Sequence, residues 1–356
     1  CLARWSLGAA PPALAEDEPV PDVPAQPTGE VQPTTREPTR TFSVGAGYST
    51  DDGFAAMTRV AQSDPFGTGK GLALSALLTE RRQALLLRYD DPSLLGTSLE
   101  LRGDLYSVRK QHSGFRREAT GGALTLTERI APGLDAFISY RVEHVDVAPD
   151  APALAIRGVA ARAWRGGMVG TMRVGTIYSS VDEQVYPRRG TVIGSALEVA
   201  DETLGSDIRY LRTDAWFSHH RPLGPLTLHL DGRLSSISDG APLSERLHFD
   251  GSADVRGYAP GAIGPVDPAT RHPTGGNLAW TARAELEVPV VRAAGLSVAA
   301  FYDAGGVHAR CGGETGSSVG FGVIWRSPIG PMRFDFAFPL AGDDRETQFL
   351  FGFATF

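Results

Sequence analysis

From Thr41 onward, apolar and polar residues alternate with a period of two in segment after segment. In 226–234, Leu226, Leu228, Leu230 and Leu234 share one parity, while Thr227, His229, Asp231 and Arg233 share the other. In 278–288, Leu278, Trp280, Ala282, Ala284, Leu286 and Val288 alternate with Thr281, Arg283, Glu285 and Glu287. Met332, Phe334, Phe336 and Phe338 likewise alternate with Arg333, Asp335 and Ala337. A period of two puts each set on its own face of a sheet. The segments run to roughly ten to thirteen residues, against about five or six for strands of soluble sheets. That is the length a tilted strand needs to cross a bilayer. The polar parity carries opposite charges in sequence, as in Glu100, Arg102 and Asp104, which suits a wet lumen. The pattern predicts an all-β protein, a transmembrane antiparallel β-barrel of about sixteen strands.

The connections sharpen this expectation. One set is tight and marked by Pro and Gly: 64–71, 131–134, 221–226 and 327–332. The other includes long stretches, 148–167 and 238–275. Short periplasmic turns and longer external loops are the usual asymmetry of such barrels. An even strand number brings both ends of the barrel to the periplasmic side.

Composition changes the picture mainly at the N-terminus. Residues 16–40, EDEPVPDVPAQPTGEVQPTTREPTR, are rich in Pro, Glu and Thr, and almost without large apolar side chains. Such a stretch buries too little to offset its ordering entropy and is expected to be a disordered linker to the barrel at 41–356. Residues 1–15 are short and modestly apolar, and end in Ala13-Leu14-Ala15 before Glu16-Asp17. This reads as the remnant of a signal peptide cleaved after Ala15. Lipidation of Cys1 is the alternative. Cys311 is the second of the two cysteines, so disulfides are not expected to staple the fold.

Charge and motifs exclude other classes. The net charge of −7, with both signs interspersed, does not give a nucleic-acid binder's basic footprint. Gly316-Ser317-Ser318-Val319-Gly320 fits G-x-S-x-G, but it opens a strand with no helix after it, whereas a nucleophile elbow needs that helix. Gly67-Thr68-Gly69-Lys70 lacks the first glycine and the final Ser/Thr of a phosphate loop. His219 and His220 are adjacent and would face opposite sides of a strand. No enzyme activity, metal or cofactor is expected.

One long stretch carries a resemblance. Residues 248–288 contain Val255-Arg256-Gly257-Tyr258, then Gly264-Pro265, then Gly275-Gly276-Asn277 leading into a strand with Glu285. In this order they resemble the external loop and following strand of the BamA/TamA outer-membrane protein assembly superfamily, the bacterial surface antigen barrels. The likeness extends to YDDPSLLGTSLELRGDLY (89–106), to 186–212, to AAFYDAGGVH (299–308), to 317–340 and to the aromatic terminal strand. Nearly all of 41–356 is covered. The superfamily's periplasmic POTRA repeats have no counterpart in this chain, so the resemblance is to a member without them.

The resemblance implies a function and a site. The function is assembly, insertion or translocation of outer-membrane proteins; a passive pore or surface protein on the same scaffold is the alternative. The implied partners are the lipid bilayer and lipopolysaccharide, unfolded outer-membrane proteins as clients, and a separate periplasmic subunit. The loop of this family folds into the barrel and its tip arginine pairs with acidic groups on the wall. Here these are Arg256, flanked by Gly257 and Tyr258, with Asp303 and Glu285 as candidate partners. Parity places Asp303 and Glu285 inward independently of the family. A loop arginine in an arbitrary sequence is ordinarily a solvated one.

The resemblance also implies a lateral seam between the first and last strands that opens to template incoming strands. In the sequence this involves Gly45, Gly47, Phe351 and Phe356. Interior glycines weaken a strand, although Gly45 and Gly47 could equally accommodate bulky neighbours. Two departures stand out. SSVDEQVYPRRG (179–190) differs from the family's acidic, Arg-containing string. Phe356 is out of phase with Phe349, Phe351 and Phe353, which a bulge near Gly352 would correct.

Overall fold

Each long alternating segment forms one stave of a closed wall. The structure, a computed structural model, describes residues 40–49, 53–65, 67–149, 166–184, 186–267, 272–309, 312–327, 330–340 and 348–353. The expected signal remnant, the linker before residue 40, both cysteines and Phe356 lie outside these residues.

Among the described residues there are sixteen strands. They are β1 (Arg40–Ser49), β2 (Gly53–Ser63), β3 (Gly71–Leu78), β4 (Arg82–Asp91), β5 (Glu100–Gln111), β6 (Phe115–Ala131), β7 (Leu134–Pro149) and β8 (Gly167–Ser179). The second half comprises β9 (Gly190–Ala200), β10 (Tyr210–Leu223), β11 (Leu226–Ile237), β12 (Leu278–Val291), β13 (Leu296–Ala309), β14 (Gly312–Ser327), β15 (Gly330–Pro339) and β16 (Gln348–Phe353). Every strand pairs antiparallel with its sequence neighbours, and β16 returns to β1 to close the barrel.

The wall is inside out relative to a soluble protein. On β5, Leu105 is 63% exposed while the next residue, Tyr106, is 5% exposed. Leu72, Leu74 and Leu78 on β3, Leu85 and Leu87 on β4, and Phe321 on β14 are exposed in the same way. The opposite parity holds Arg88, Asp104, Glu143, Glu198, Glu285 and Asp303, all buried. Exposed apolar parity and buried charged parity together form a lipid-facing belt around a polar interior.

Three features differ from the sequence expectation. Strand lengths spread from 6 residues in β16 to 17 in β6. The inner connections are not all tight, because the β8–β9 turn spans 180–189. There the Asp182 carboxylate accepts from the backbone N–H of Arg188 and of Arg189, so a longer turn is held compact by its own side chain. No bulge occurs at Gly352, which pairs with Arg333 in an unbroken ladder from Phe349 to Phe353. The G-x-S-x-G stretch lies wholly within β14.

The connection 238–277 enters the lumen. Bridges Leu247↔Gly276, Asp250↔Pro260 and Val266↔Pro273 fold it on itself. Its Leu247, Phe249, Val255, Tyr258 and Ile263 pack with Ala119, Val145, Val169, Ala279 and Val307 of the wall. This cluster lies between loop and wall, on the polar-facing side of the sheet. Burial of these side chains, at roughly 25 cal/mol per Å² of apolar area, is the driving force that draws the loop in.

Candidate functional site: the internal loop and the seam

A short 3-10 turn at Gly251–Ala253 shapes the tip of the loop, and Val255 N–H returns to the Gly251 carbonyl. Val255 is fully buried, which fixes the side from which the next residue leaves. Gly257 has φ +94, a conformation that L side chains rarely adopt, and a Cβ there would come within 3.2 Å of Pro339. Tyr258 extends to β14, where its hydroxyl donates to the Ser317 carbonyl at 3.0 Å.

Arg256 is the hub. Its Nε and Nη2 donate to the two carboxylate oxygens of Asp303 at 2.6 and 2.7 Å, a fork-to-fork pair. Its Nη1 reaches Glu285 at 3.0 Å and Asp335 at 3.3 Å. Its guanidinium carbon lies 3.4 Å from the centroid of the Phe301 ring, so the cation is gripped at its edge and covered on a face. Burial opposes the charge on Arg256, but the surrounding carboxylates outweigh it and hold its pKa above the ordinary arginine range. Arg333 completes the cluster, donating to Asp335 at 2.7 Å and to Glu285 at 2.9 Å.

The sequence-derived residues Arg256, Glu285 and Asp303 thus stand in one cluster, with Gly257 and Tyr258 beside them. Sequence reasoning did not include Asp335, Arg333 or Phe301. All three sit on the inward parity of β15 and β13, so alternation together with charge carried the signal for two of them. It also missed the contacts across the lumen. Glu245 of the loop meets Arg117 of β6, which pairs with Glu143 at 2.7 Å. Lys110 of β5 pairs with Asp250 at 2.5 Å, and Ser113 donates to the Pro260 carbonyl at 2.9 Å. In the strand order β5 stands eight places from β13, so the loop is tied to two opposing walls.

Three loop acids and bases lie in contrasting surroundings. Burial and the neighbouring Asp250 charge push Asp254 up to about 7. One of its carboxylate oxygens accepts from Asp250 N–H at 2.6 Å; the other is buried without a hydrogen-bond partner. Asp250 is itself lowered to about 2: burial opposes its charge, but Lys110 outweighs it. Burial lowers His248 to about 4.

The seam joins the first and last strands. β1 pairs with β2 through ten residue pairs, from Arg40↔Gln62 to Ser49↔Gly53. Against β16, the pairs among the described residues are Tyr48↔Phe351 and Ser49↔Leu350. Gly45 and Gly47 stand opposite Met57 and Ala55 of β2, and neither has a β16 partner among the described residues.

The sequence profile of the Omp85 superfamily domain matches residues 65–356. The chain belongs to the Omp85 superfamily. Among curated Omp85-type relatives, it is 28% identical to the outer membrane protein assembly factor BamA of Neisseria meningitidis serogroup B, covering 90% of this chain and 47% of that one. It is 23% identical to the BamA of Nitratidesulfovibrio vulgaris, covering 88% of this chain and 41% of that one. The chain therefore spans less than half the length of these relatives. Among solved structures, BamA from Haemophilus ducreyi lacking POTRA domains 1–3 superposes with a TM-score of 0.76 at 19% identity, covering 88% of this chain and 69% of that one. CdiB from Escherichia coli gives a TM-score of 0.61 at 13% identity, covering 90% and 63%. These two likenesses concern the fold. With the lipid-facing belt, the family places this Omp85 barrel in the bacterial outer membrane.

Proposed function

We propose that this barrel assists the assembly, insertion or translocation of outer-membrane proteins, acting through its seam and without covalent chemistry. The observation that carries the reading is that the barrel closes through a joint between its first and last strands, β1 and β16. A strand edge released at that joint offers N–H and C=O groups to an incoming strand, and main-chain pairing then supplies affinity without sequence demands. Gly45, Gly47, Phe351 and Phe356 form that seam in this reading. The clients are unfolded outer-membrane proteins, received from a periplasmic subunit, and the outer rim faces lipopolysaccharide.

Arg256, Gly257, Tyr258, Asp303 and Glu285 act as a lock in this reading. They hold the loop against β12–β15, the strands beside the seam, and so keep β16 positioned while β1 separates. The rival is a passive pore on the same scaffold. Folding of a denatured outer-membrane barrel into liposomes, with and without the reconstituted protein, tests the proposal. A several-fold faster folding is expected; a rate equal to that of empty liposomes would sink it.

A further inference from the structure

We propose that His220 and His229 form a binding site for a divalent transition metal of the copper class, on the lumen face of the β10–β11 hairpin. His219 and His220 are neighbours in the sequence but stand on opposite faces of β10, and His219 meets Thr191 of β9 on the lipid-facing parity. The register between strands supplies the second ligand instead. His220 stands directly opposite His229 of β11, three residue pairs in from the Leu223↔Leu226 end of the hairpin. Their Nδ1 atoms approach to 2.7 Å, and the rings cross at 67° with centroids 5.0 Å apart.

The far ring nitrogens decide where the protons sit. Ser218 Oγ donates to Asp231 at 2.6 Å, so its own proton is committed and it accepts from His220 Nε2 at 3.0 Å. His229 Nε2 lies 3.5 Å from a carboxylate oxygen of Glu287, which Arg326 holds at 2.7 Å and which can only accept. With both Nε2 atoms protonated, each neutral imidazole presents a bare lone pair at Nδ1. Two such lone pairs at 2.7 Å repel, and a cation between them turns the repulsion into two ligand bonds. Metal-ligating histidines are oriented in this way, through a polar acceptor on the second ring nitrogen. Imidazole–metal bonds of about 2.0 Å put two nitrogens roughly 2.9 Å apart at a right angle and roughly 3.3 Å apart at a tetrahedral one. The observed spacing is nearer the first, so slight ring rotation admits a tetragonal ion, and Cu²⁺ is also the divalent ion that such ligands hold most tightly. Among the described residues no group of three or more His, Cys, Asp or Glu side chains is placed to hold a metal, so the protein contributes two imidazoles and lumen water fills the other positions.

The test is a Cu²⁺ titration of the untagged full chain in detergent, with Cys1 and Cys311 replaced by serine to remove competing thiols. One tight equivalent is expected, and its electron paramagnetic resonance spectrum should show splitting from two imidazole nitrogens. His220→Gln and His229→Gln should each weaken that equivalent by about tenfold or more. Ser218→Ala frees the Nε2–H of His220 without touching the metal and should also weaken it, by roughly tenfold. His219→Gln should bind as the parent does. Parent-like affinity in either His220→Gln or His229→Gln would overturn the site, as would a parent spectrum with one imidazole nitrogen or none. The spectrum needs no variant, so it decides the matter even where a variant does not fold. Metal binding is read without clients and stands apart from whether the barrel inserts them.

Discussion

Glu245 accepts from Arg117 at 3.3 Å on the wall across the lumen from the one that holds Arg256. The loop is thus a strut between two walls rather than a flap hinged on one. Removing one partner of a buried ion pair typically costs about 3–5 kcal/mol, because the charges left behind lose their compensation. Arg256→Ala leaves Arg333 on Glu285 and Asp335 but takes from Asp303 the arginine that grips both its oxygens, so it should fall in or above this range. Glu245→Gln leaves Arg117 paired with Glu143 and should cost less. Hydrogen exchange over 238–277 checks the order: faster exchange in both variants, greater for Arg256→Ala, and greatest in the double.

Gly257→Ala tests the backbone at the loop tip. The residue sits at φ +94, and its Cβ would press on Pro339 and Ala337 of β15. Strain of this kind costs on the order of 1–3 kcal/mol. A lower unfolding temperature is expected, with the loss concentrated in loop protection rather than in strand content by circular dichroism. The neutral surface substitution Arg209→Ala serves as the comparison, since that residue is largely exposed.

The loop should respond to pH in two opposed ways. Asp254 is raised from 3.8 to about 7 in the docked loop, so docking is favoured while the group is protonated. That contribution is complete below about pH 4 and is lost as pH rises towards 7. His248 is lowered from 6.5 to about 4, so its neutral form is favoured and docking weakens as pH falls from 6.5 towards 4. The two trends partly cancel in the parent. Asp254→Asn should therefore stabilise the loop at pH 8 but not at pH 4, and should expose an acid-induced weakening. His248→Gln should lessen that weakening, the remainder belonging to His112, which burial also holds below the ordinary histidine range. Loop proteolysis across pH 4–8 separates them, and identical profiles for all three proteins would contradict the assignment.

A disulfide between Tyr48→Cys and Phe351→Cys, with Cys1 and Cys311 replaced by serine, would lock the seam at directly paired positions. If clients are templated there, the oxidised protein should lose its acceleration of barrel folding and regain it on reduction. Unchanged acceleration in the oxidised state would place the activity elsewhere on the molecule.

The lattice of strands was legible in the chain because one face must meet lipid and the other must not, which writes the parity residue by residue. Leu105 beside Tyr106, and Leu286 beside Glu285, follow it directly. The Val255-Arg256-Gly257-Tyr258 string led to Arg256 through its resemblance to the family's loop, and parity turned Asp303 and Glu285 inward. Asp335 was on the correct face too, yet which of many inward acids meets the arginine depends on the register between strands. Glu245–Arg117 and Lys110–Asp250 were hidden for a related reason. They join residues whose proximity is set by how a long irregular loop crosses a cavity, and no local periodicity encodes that path.

Sequence separation gives the internal loop a place in time. Its ties connect positions 79, 128 and 140 residues apart, in Arg256–Asp335, Arg117–Glu245 and Lys110–Asp250. Contacts so remote in the chain form late, because the loss of chain freedom precedes the gain. Neighbouring strands can zip together as hairpins while Arg117, Glu285 and Asp303 still face water. The loop can set only after β15 has arrived to contribute Asp335, near the end of the polypeptide. Docking of 238–277 is therefore a record of completion: a barrel that lacks its last staves still carries its lumen charges, but has no finished seat for Arg256.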